Sequence, residues 1–186
     1  MKLSRLVFTT LLVLSASMAE DIKSVKQEGV SYIKMLGGAL KGELKQHLKA
    51  DKSGMEAIRF CSTKAQQITS DINQKLPKYA KVRRTARKVR NLANQPDETD
   101  RKVMEAYEKK IKEGRFDPKD IEVVKMGDTY RVYKPLLAEP VCLKCHGSDI
   151  DPKIQAEIQR FYPKDQATGF KKGDLRGVIV AEIKKD

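Results

Sequence analysis

An α+β domain with an antiparallel sheet is the fold class this sequence predicts, on three observations. Apolar residues recur at helical spacing through the first half, the period changes to strand-like alternation after about residue 120, and an apolar run bounded by glycines closes the chain. Neither an internal repeat nor a low-complexity linker interrupts the 186 residues, a length that suits a leader followed by one ordinary domain.

From Asp21 to about Leu48, the residues Ile22, Val25, Ile33, Leu36, Leu40, Leu44 and Leu48 recur at helical spacing, predicting a long amphipathic helix whose middle Gly37 and Gly38 should loosen. A second helix is predicted from near Ser53 to about Leu76, because Ile58, Cys61, Ala65, Ile68 and Ile72 alternate three and four apart. Cys61 therefore falls on its buried stripe. A third helix begins at "PDETDRKVMEAYEKKIKEG", where Asp97 suits the N-cap and Gly114 the stop. "IEVVKMGDTYRVYKPLL" then sets two strand-like runs on either side of Gly127-Asp128, a hairpin signal. "RGVIVAEI", Arg176 to Ile183, is the third strand, with Gly173 and Gly177 as boundary signals.

The first residues decide the compartment in which the rest is read. "MKLSRLVFTTLLVLSASMAED" opens with Lys2 and Arg5, runs apolar from Leu6 to about Ala16 and offers a small-x-small site at Ser17 and Ala19, the layout of a secretory signal peptide. A transmembrane anchor is the competing reading, but the apolar run falls well short of the roughly 20 residues a bilayer span needs. Residues 1–19 are expected to be cleaved, leaving 20–186 as a single domain in the periplasm, with 20–50 as its N-terminal helical segment. No later segment is apolar enough for a membrane span.

The formal charge of +13 falls to +11 once Lys2 and Arg5 leave with the leader. A balance this basic often marks nucleic-acid binding. An exported protein meets little nucleic acid, so the expected partners are acidic proteins, anionic lipid or a bound anionic cofactor. The largest basic run is "KLPKYAKVRRTARKVR", Lys75 to Arg90, with no acid inside it. A solvated face is the plain reading of such a run.

Against that background stands "EPVCLKCHGSD", which gathers Cys142, Cys145 and His146 within five residues. Cys-x-x-Cys alone suggests a redox dithiol or half a zinc site. Zinc needs more soft ligands than Cys61 and His47, the chain's only other Cys and His, supply nearby. An exported dithiol oxidoreductase remains open. Followed at once by His in a secreted chain, however, the motif is the attachment signature of haem c. Residues three apart in a helical turn share a face, so both thiols reach the two vinyl groups of one porphyrin and the next residue turns its imidazole to the iron. One covalently bound iron protoporphyrin, haem c, is the expected cofactor. A haem protein of this length also admits an all-α, cytochrome c-prime-like four-helix bundle, the alternative to the α+β reading.

Nothing after His146 supplies a further methionine or histidine, since the last methionine is Met126. A sixth ligand then has to come from Cys61, His47, Met35, Met55, Met104, Met126 or a lysine. By position alone, Cys61 is either a small core hydrophobe or a ligand.

The combination of "RRTARKVRNLANQPDETD", "RVYKPLLAEPVCLKCHG" and "RFYPKDQATGFKKGDLRGVIVAEI", with Cys61 in an upstream helix, resembles the single-haem c-type domains of PAS-like fold. These were long catalogued as a domain of unknown function and occur alone or as periplasmic inputs of receptors and histidine kinases. The resemblance covers nearly all of the mature chain. It implies a PAS-like antiparallel sheet with a long N-terminal helix and flanking helices. It also implies a haem held by Cys142, Cys145 and His146, with the Cys61 thiolate as the other axial ligand. Two departures stand out from the family's Arg-Thr-Ser-Leu-Lys-x-Arg-Asn-Pro-x-Asn-x-Pro pattern, Ala86 at the Ser and Leu92 at the first Pro, while Arg84, Thr85, Lys88, Arg90, Asn91, Asn94 and Pro96 match. The basic run thereby gains a use, with Arg84 and Arg90 as guanidinium partners of the two haem propionates.

Three functions follow as expectations. The first is a sensor of redox state or of a small gas that binds after Cys61 is released, passing its signal to another protein. The alternative is a low-potential electron-transfer cytochrome whose basic face docks an acidic partner. A haem peroxidase would need an open coordination position, which a Cys61 ligand fills.

Overall fold

The structure is a computed structural model that describes the backbone of residues 4–185 and the side chains of residues 20–185. The expected leader, residues 1–19, lies outside the residues whose side chains are described. Among the described residues, no helix is long and apolar enough to cross a membrane.

Helix α1 (Ser4–Ala50) runs without a break through Gly37 and Gly38, contrary to the loosening expected there. Its stripe of Val25, Ile33 and Leu36 is fully buried against the sheet described below, and that packing outweighs the weak helix propensity of glycine. Gly29 belongs to the same stripe. A Cβ there would stand 2.5 Å from Cγ2 of Val132, so the helix can lie this close to the sheet only because the side chain is absent. Gly29→Ala is expected to lower stability by about 1–3 kcal/mol through overpacking. A urea titration monitored by circular dichroism reads this as a lower midpoint, and an unchanged midpoint would mean that Val132 moves aside freely.

The second predicted helix is two. Helix α2 (Met55–Thr63) and helix α3 (Ala65–Lys75) meet at Lys64, whose φ of −112° departs from the helix. Two side chains account for the break: the hydroxyls of Ser62 and Thr63 both donate to the Arg59 carbonyl, at 2.9 and 2.8 Å, drawing the last turn of α2 back on itself. Helix α4 (Glu98–Lys112) starts as predicted, with the Asp97 carboxylate accepting from the Asp100 N–H and the Asp100 carboxylate accepting from the Asp97 N–H. Gly114, at φ 65°, closes that end.

Strands β1 (Ala80–Thr85), β2 (Glu122–Met126), β3 (Thr129–Leu137) and β4 (Leu175–Lys184) form one antiparallel sheet in the order β1-β4-β3-β2. The hairpin turns at Gly127-Asp128 as expected, with Gly127 at φ 64°. β4 lies inside the sheet and both its faces are covered, which is why it reads as a continuous apolar run rather than an alternation. Ile179, Ala181 and Ile183 face α1 and α3, while Val178 and Val180 face Val103, Met104 and Tyr107 of α4. Helices on both faces of a central antiparallel sheet make an α+β, PAS-like domain and overturn the all-α four-helix bundle considered as the alternative.

Two elements went unread in the sequence. β1 lies inside the basic run, where Val82 is fully buried between exposed or half-exposed cations. It is an edge strand, and the side-chain amide of Asn73 on α3 stands in for a neighbouring strand, accepting from the Val82 N–H at 2.7 Å and donating to its carbonyl at 2.8 Å. Successive side chains of β1 point to opposite faces. Arg83 reaches the α4 side, where Asp100 accepts from both of its Nη atoms at 2.9 and 3.0 Å, and Arg84 points to the other side. The second unread element is α6 (Pro152–Phe161), although Asp151 as N-cap and Pro152 in the first turn are ordinary start signals.

Candidate functional site

The residues singled out in the sequence converge on one region, between α2, α6, the start of β4 and the Cys-x-x-Cys-His segment. That segment is a 3-10 turn, Pro140–Cys142, followed by the single helical turn α5 (Leu143–His146). Gly147 ends the turn; a Cβ there would fall 2.6 Å from the Leu143 carbonyl oxygen, which accepts the Gly147 N–H. Cys142 and Cys145 thus sit three residues apart in helical backbone, on one face. No disulfide joins the three cysteines.

A loop from Asp165 to Phe170 cradles this turn. Its backbone donates from Gly169 to the Gly147 carbonyl and from Phe170 to the His146 carbonyl, both at 2.9 Å. The Ala167 carbonyl lies 2.7 Å from His146 Nδ1. A carbonyl can only accept, so Nδ1 carries the proton and the Nε2 lone pair is left for a ligand. Burial holds the His146 imidazole well below its usual pKa, the nearby Arg176 and Arg90 guanidiniums add to that effect, and the Ala167 hydrogen bond opposes it only in part. The ring is a neutral donor, as metal ligation requires.

Cys61, near the end of α2, lies within electrostatic reach of Cys145. Its carbonyl accepts from the Tyr162 hydroxyl at 3.1 Å, and Ile58 one turn earlier packs against Ile154 and Ile158 of α6, with Cys145 and Tyr162 at the edge of the same cluster. Burial pushes the Cys61 thiol up, and the Arg84 guanidinium offsets part of that rise. Cys145 is pushed up by burial as well, against the pull of Arg90. The other candidate ligands are spread out. His47 stacks on Phe60 with ring centroids 4.8 Å apart, Met104 is fully buried on the α4 face, and Met35 and Met126 are exposed. Met55 alone shares the apolar cluster beside Cys145.

The two arginines of the basic run have different surroundings. Arg90 is committed to protein: its Nε and Nη2 reach the Asp165 carboxylate at 3.2 and 3.1 Å, and Nη2 also reaches the carbonyls of Cys145 at 2.5 Å and Ala167 at 3.2 Å. It ties the cradle to the motif. Arg84 has no hydrogen-bond partner for its buried Nε among the described residues, and burial lowers the pKa of its guanidinium. A buried cation without an acceptor calls for an anion from outside the chain. Two thiols on one face, a neutral imidazole with a free Nε2, a third thiol nearby and that unmatched guanidinium form a donor set that fits a haem with its propionates. Arg176, Tyr162, Asp165 and Phe170 were not anticipated. For Arg176 the signal was present, as the one cation in an otherwise apolar strand opening, beside Gly177.

No curated protein matches the chain. Among solved structures, the cyanobacterial heme-protein Tll0287 is similar with a TM-score of 0.60 at 20% identity, over 92% of this chain and 96% of that one, a likeness that speaks for the fold. A family model described as Tll0287-like matches residues 2–183, nearly the whole length, and the chain belongs to the Tll0287-like family.

Proposed function

We propose that the chain is a periplasmic c-type haem protein acting as a sensor of redox state or of a small gas. The single observation that carries this reading is the hydrogen bond from His146 Nδ1–H to the Ala167 carbonyl beside two thiols in one helical turn. It leaves Nε2 of a neutral ring free, as a proximal ligand in the attachment motif would need. Cys142 and Cys145 would hold the porphyrin through thioethers, His146 the iron, and Arg84 a propionate. Cys61 would ligate from the other side. The haem supplies an iron that changes by one electron and can exchange an axial ligand.

The chain's own contribution is to decide when Cys61 stays. Burial raises the pKa of the Cys61 thiol and Arg84 offsets part of the rise, so a thiolate here would depend on a further positive charge, which a ferric haem would supply. Loss of that charge would favour the thiol form, its proton drawn from solvent, and a thiol would bind the haem more weakly than a thiolate. Phe60, the residue before Cys61, stacks on His47 of α1, so a shift of α2 is felt by the long helix. Electron transfer remains the second reading, favoured by Val141, 49% exposed beside Cys142 and flanked by the exposed Lys144. Such a rim suits docking of an acidic partner.

Mass spectrometry under denaturing conditions is expected to find a chain that begins at Glu20 and is heavier than its polypeptide by one haem, with the red colour retained. Extraction of the pigment by acid acetone, or free thiols at Cys142 and Cys145, would sink covalent attachment. A haem-bearing chain that still begins at Met1 would sink export with cleavage.

A further inference from the structure

Arg176 is the residue of this site that no motif assigns. In the ladder between β3 and β4, Leu136 stands opposite Gly177 and Leu137 opposite Leu175, so Arg176 is the extra residue of a β-bulge. A bulge re-aims the side chain it carries. Gly177 holds the bulge in place: it sits at φ 155° and passes β1 so closely that a Cβ would lie 2.5 Å from the Thr85 carbonyl oxygen. The re-aimed guanidinium lies over the Phe170 ring, 5.3 Å from its centroid. Phe170 in turn meets the His146 ring edge-on, with centroids 6.3 Å apart and planes at 88°.

Placed there, Arg176 acts on the whole site. It lies within electrostatic reach of Cys61, Cys142 and His146, and of the guanidiniums of Arg84 and Arg90. Burial, and next the charge of Arg90, pull it down to about 10. Its Nη1 donates to the Lys88 carbonyl at 3.3 Å, and among the described residues no carboxylate pairs with it. Three guanidiniums thus share a region in which Asp165 is engaged by Arg90 alone. Two of the three, Arg84 and Arg176, retain donors without a carboxylate, and a haem brings two.

We propose that Arg176, set by the bulge and backed by Phe170, is the second propionate-binding residue beside Arg84, ahead of Arg90, whose Nε and Nη2 are already engaged by Asp165 and by the Cys145 and Ala167 carbonyls. This rests on the haem reading above. A planar fork stacked on an aromatic ring gives bidentate recognition of a carboxylate, and one positive charge beside the iron favours the reduced state.

The test uses the haem-loaded protein. In resonance Raman spectra, Arg176→Gln and Arg176→Lys are both expected to shift the propionate bending bands, since neither keeps the fork. The midpoint potential should fall in Arg176→Gln and recover in large part in Arg176→Lys, which keeps the charge. Lys88→Gln removes a cation 5.2 Å from the same Phe170 centroid, but an exposed one, and should leave the bands in place and barely move the potential. If Arg176→Gln does not fold, the bands of Arg176→Lys decide by themselves. Bands and potential that ignore Arg176, or that respond equally to Lys88→Gln, would assign Arg176 to packing. Wild-type protein without haem would overturn this inference together with the proposed function, whereas unaltered bands in a haem-bearing variant would overturn this inference alone.

Discussion

Cys61→Ala is expected to convert a six-coordinate, low-spin ferric haem into a high-spin one and to raise its midpoint potential, while the pigment stays covalently attached. Under the proposed function attachment would depend on Cys142 and Cys145, which lie on a different segment from Cys61, so the two properties should separate cleanly. The rise follows because an anionic thiolate stabilises the ferric state and its removal leaves a neutral site. Cys61 is suited to the role by its half-buried place one turn after Ile58, by the Tyr162 hydroxyl on its carbonyl and by the electrostatic pull of Arg84. Met55 provides the check on this assignment, because it shares the cluster beside Cys145. Absorption and spin-resonance spectra with a redox titration make the measurement. A ferric spectrum and potential that do not change in Cys61→Ala, while they do change in Met55→Ala, would move the ligand to Met55 and remove the thiol-release mechanism.

The largest expected loss of stability belongs to Asp100→Ala. The Asp100 carboxylate is fully buried and accepts from both Nη atoms of Arg83 and from the Tyr133 hydroxyl at 3.0 Å, besides closing the cap of α4. Arg131 completes the cluster against Asp97 and Glu182. Burial alone would depress the pKa of Arg83, but Asp100 and Glu182 raise it on balance, so the cation stays fully charged and leans on these two acids. Removing one partner of such a buried pair leaves an uncompensated charge and costs about 3–5 kcal/mol. The damage should reach the site, because Arg83 and Arg84 are neighbours on β1 and losing the clamp frees the edge that carries Arg84. Urea unfolding monitored by circular dichroism reads the loss. A drop below about 1 kcal/mol, the value of an exposed pair, would mean that Glu182 alone holds Arg83.

The parts of this fold and site that were legible in the sequence are those encoded within a few residues. Asp97 caps α4 through an N–H three residues on, Gly114 ends it by its own φ, and Gly127-Asp128 turns a hairpin whose strands are adjacent. Cys142, Cys145 and His146 are of the same kind, since one helical turn suffices to align them. The burial of the Cys61 stripe was legible for the same reason, although the break at Lys64 was hidden in the ordinary side chains of Ser62 and Thr63.

What the tertiary structure decided depends on partners far away along the chain. β1 is a strand because Val82 finds Ala181 and the Asn73 amide, and nothing in a run of cations announces either. Arg84 and Arg90 look equivalent as members of one basic run, yet Asp165, 75 positions beyond Arg90, takes one of them and leaves the other without an acceptor. Arg176 enters the site only through a mismatch in register between β3 and β4. The sequence by itself determined the long first helix, the capped helix α4, the hairpin, the attachment motif and the apolar stripe that carries Cys61, because hydrogen bonds and periodicity within a turn or two are written in consecutive residues. Only the tertiary structure could decide which buried cations are matched, because the energy of a desolvated charge is set by whichever acceptor the folded chain brings within about 3 Å of it.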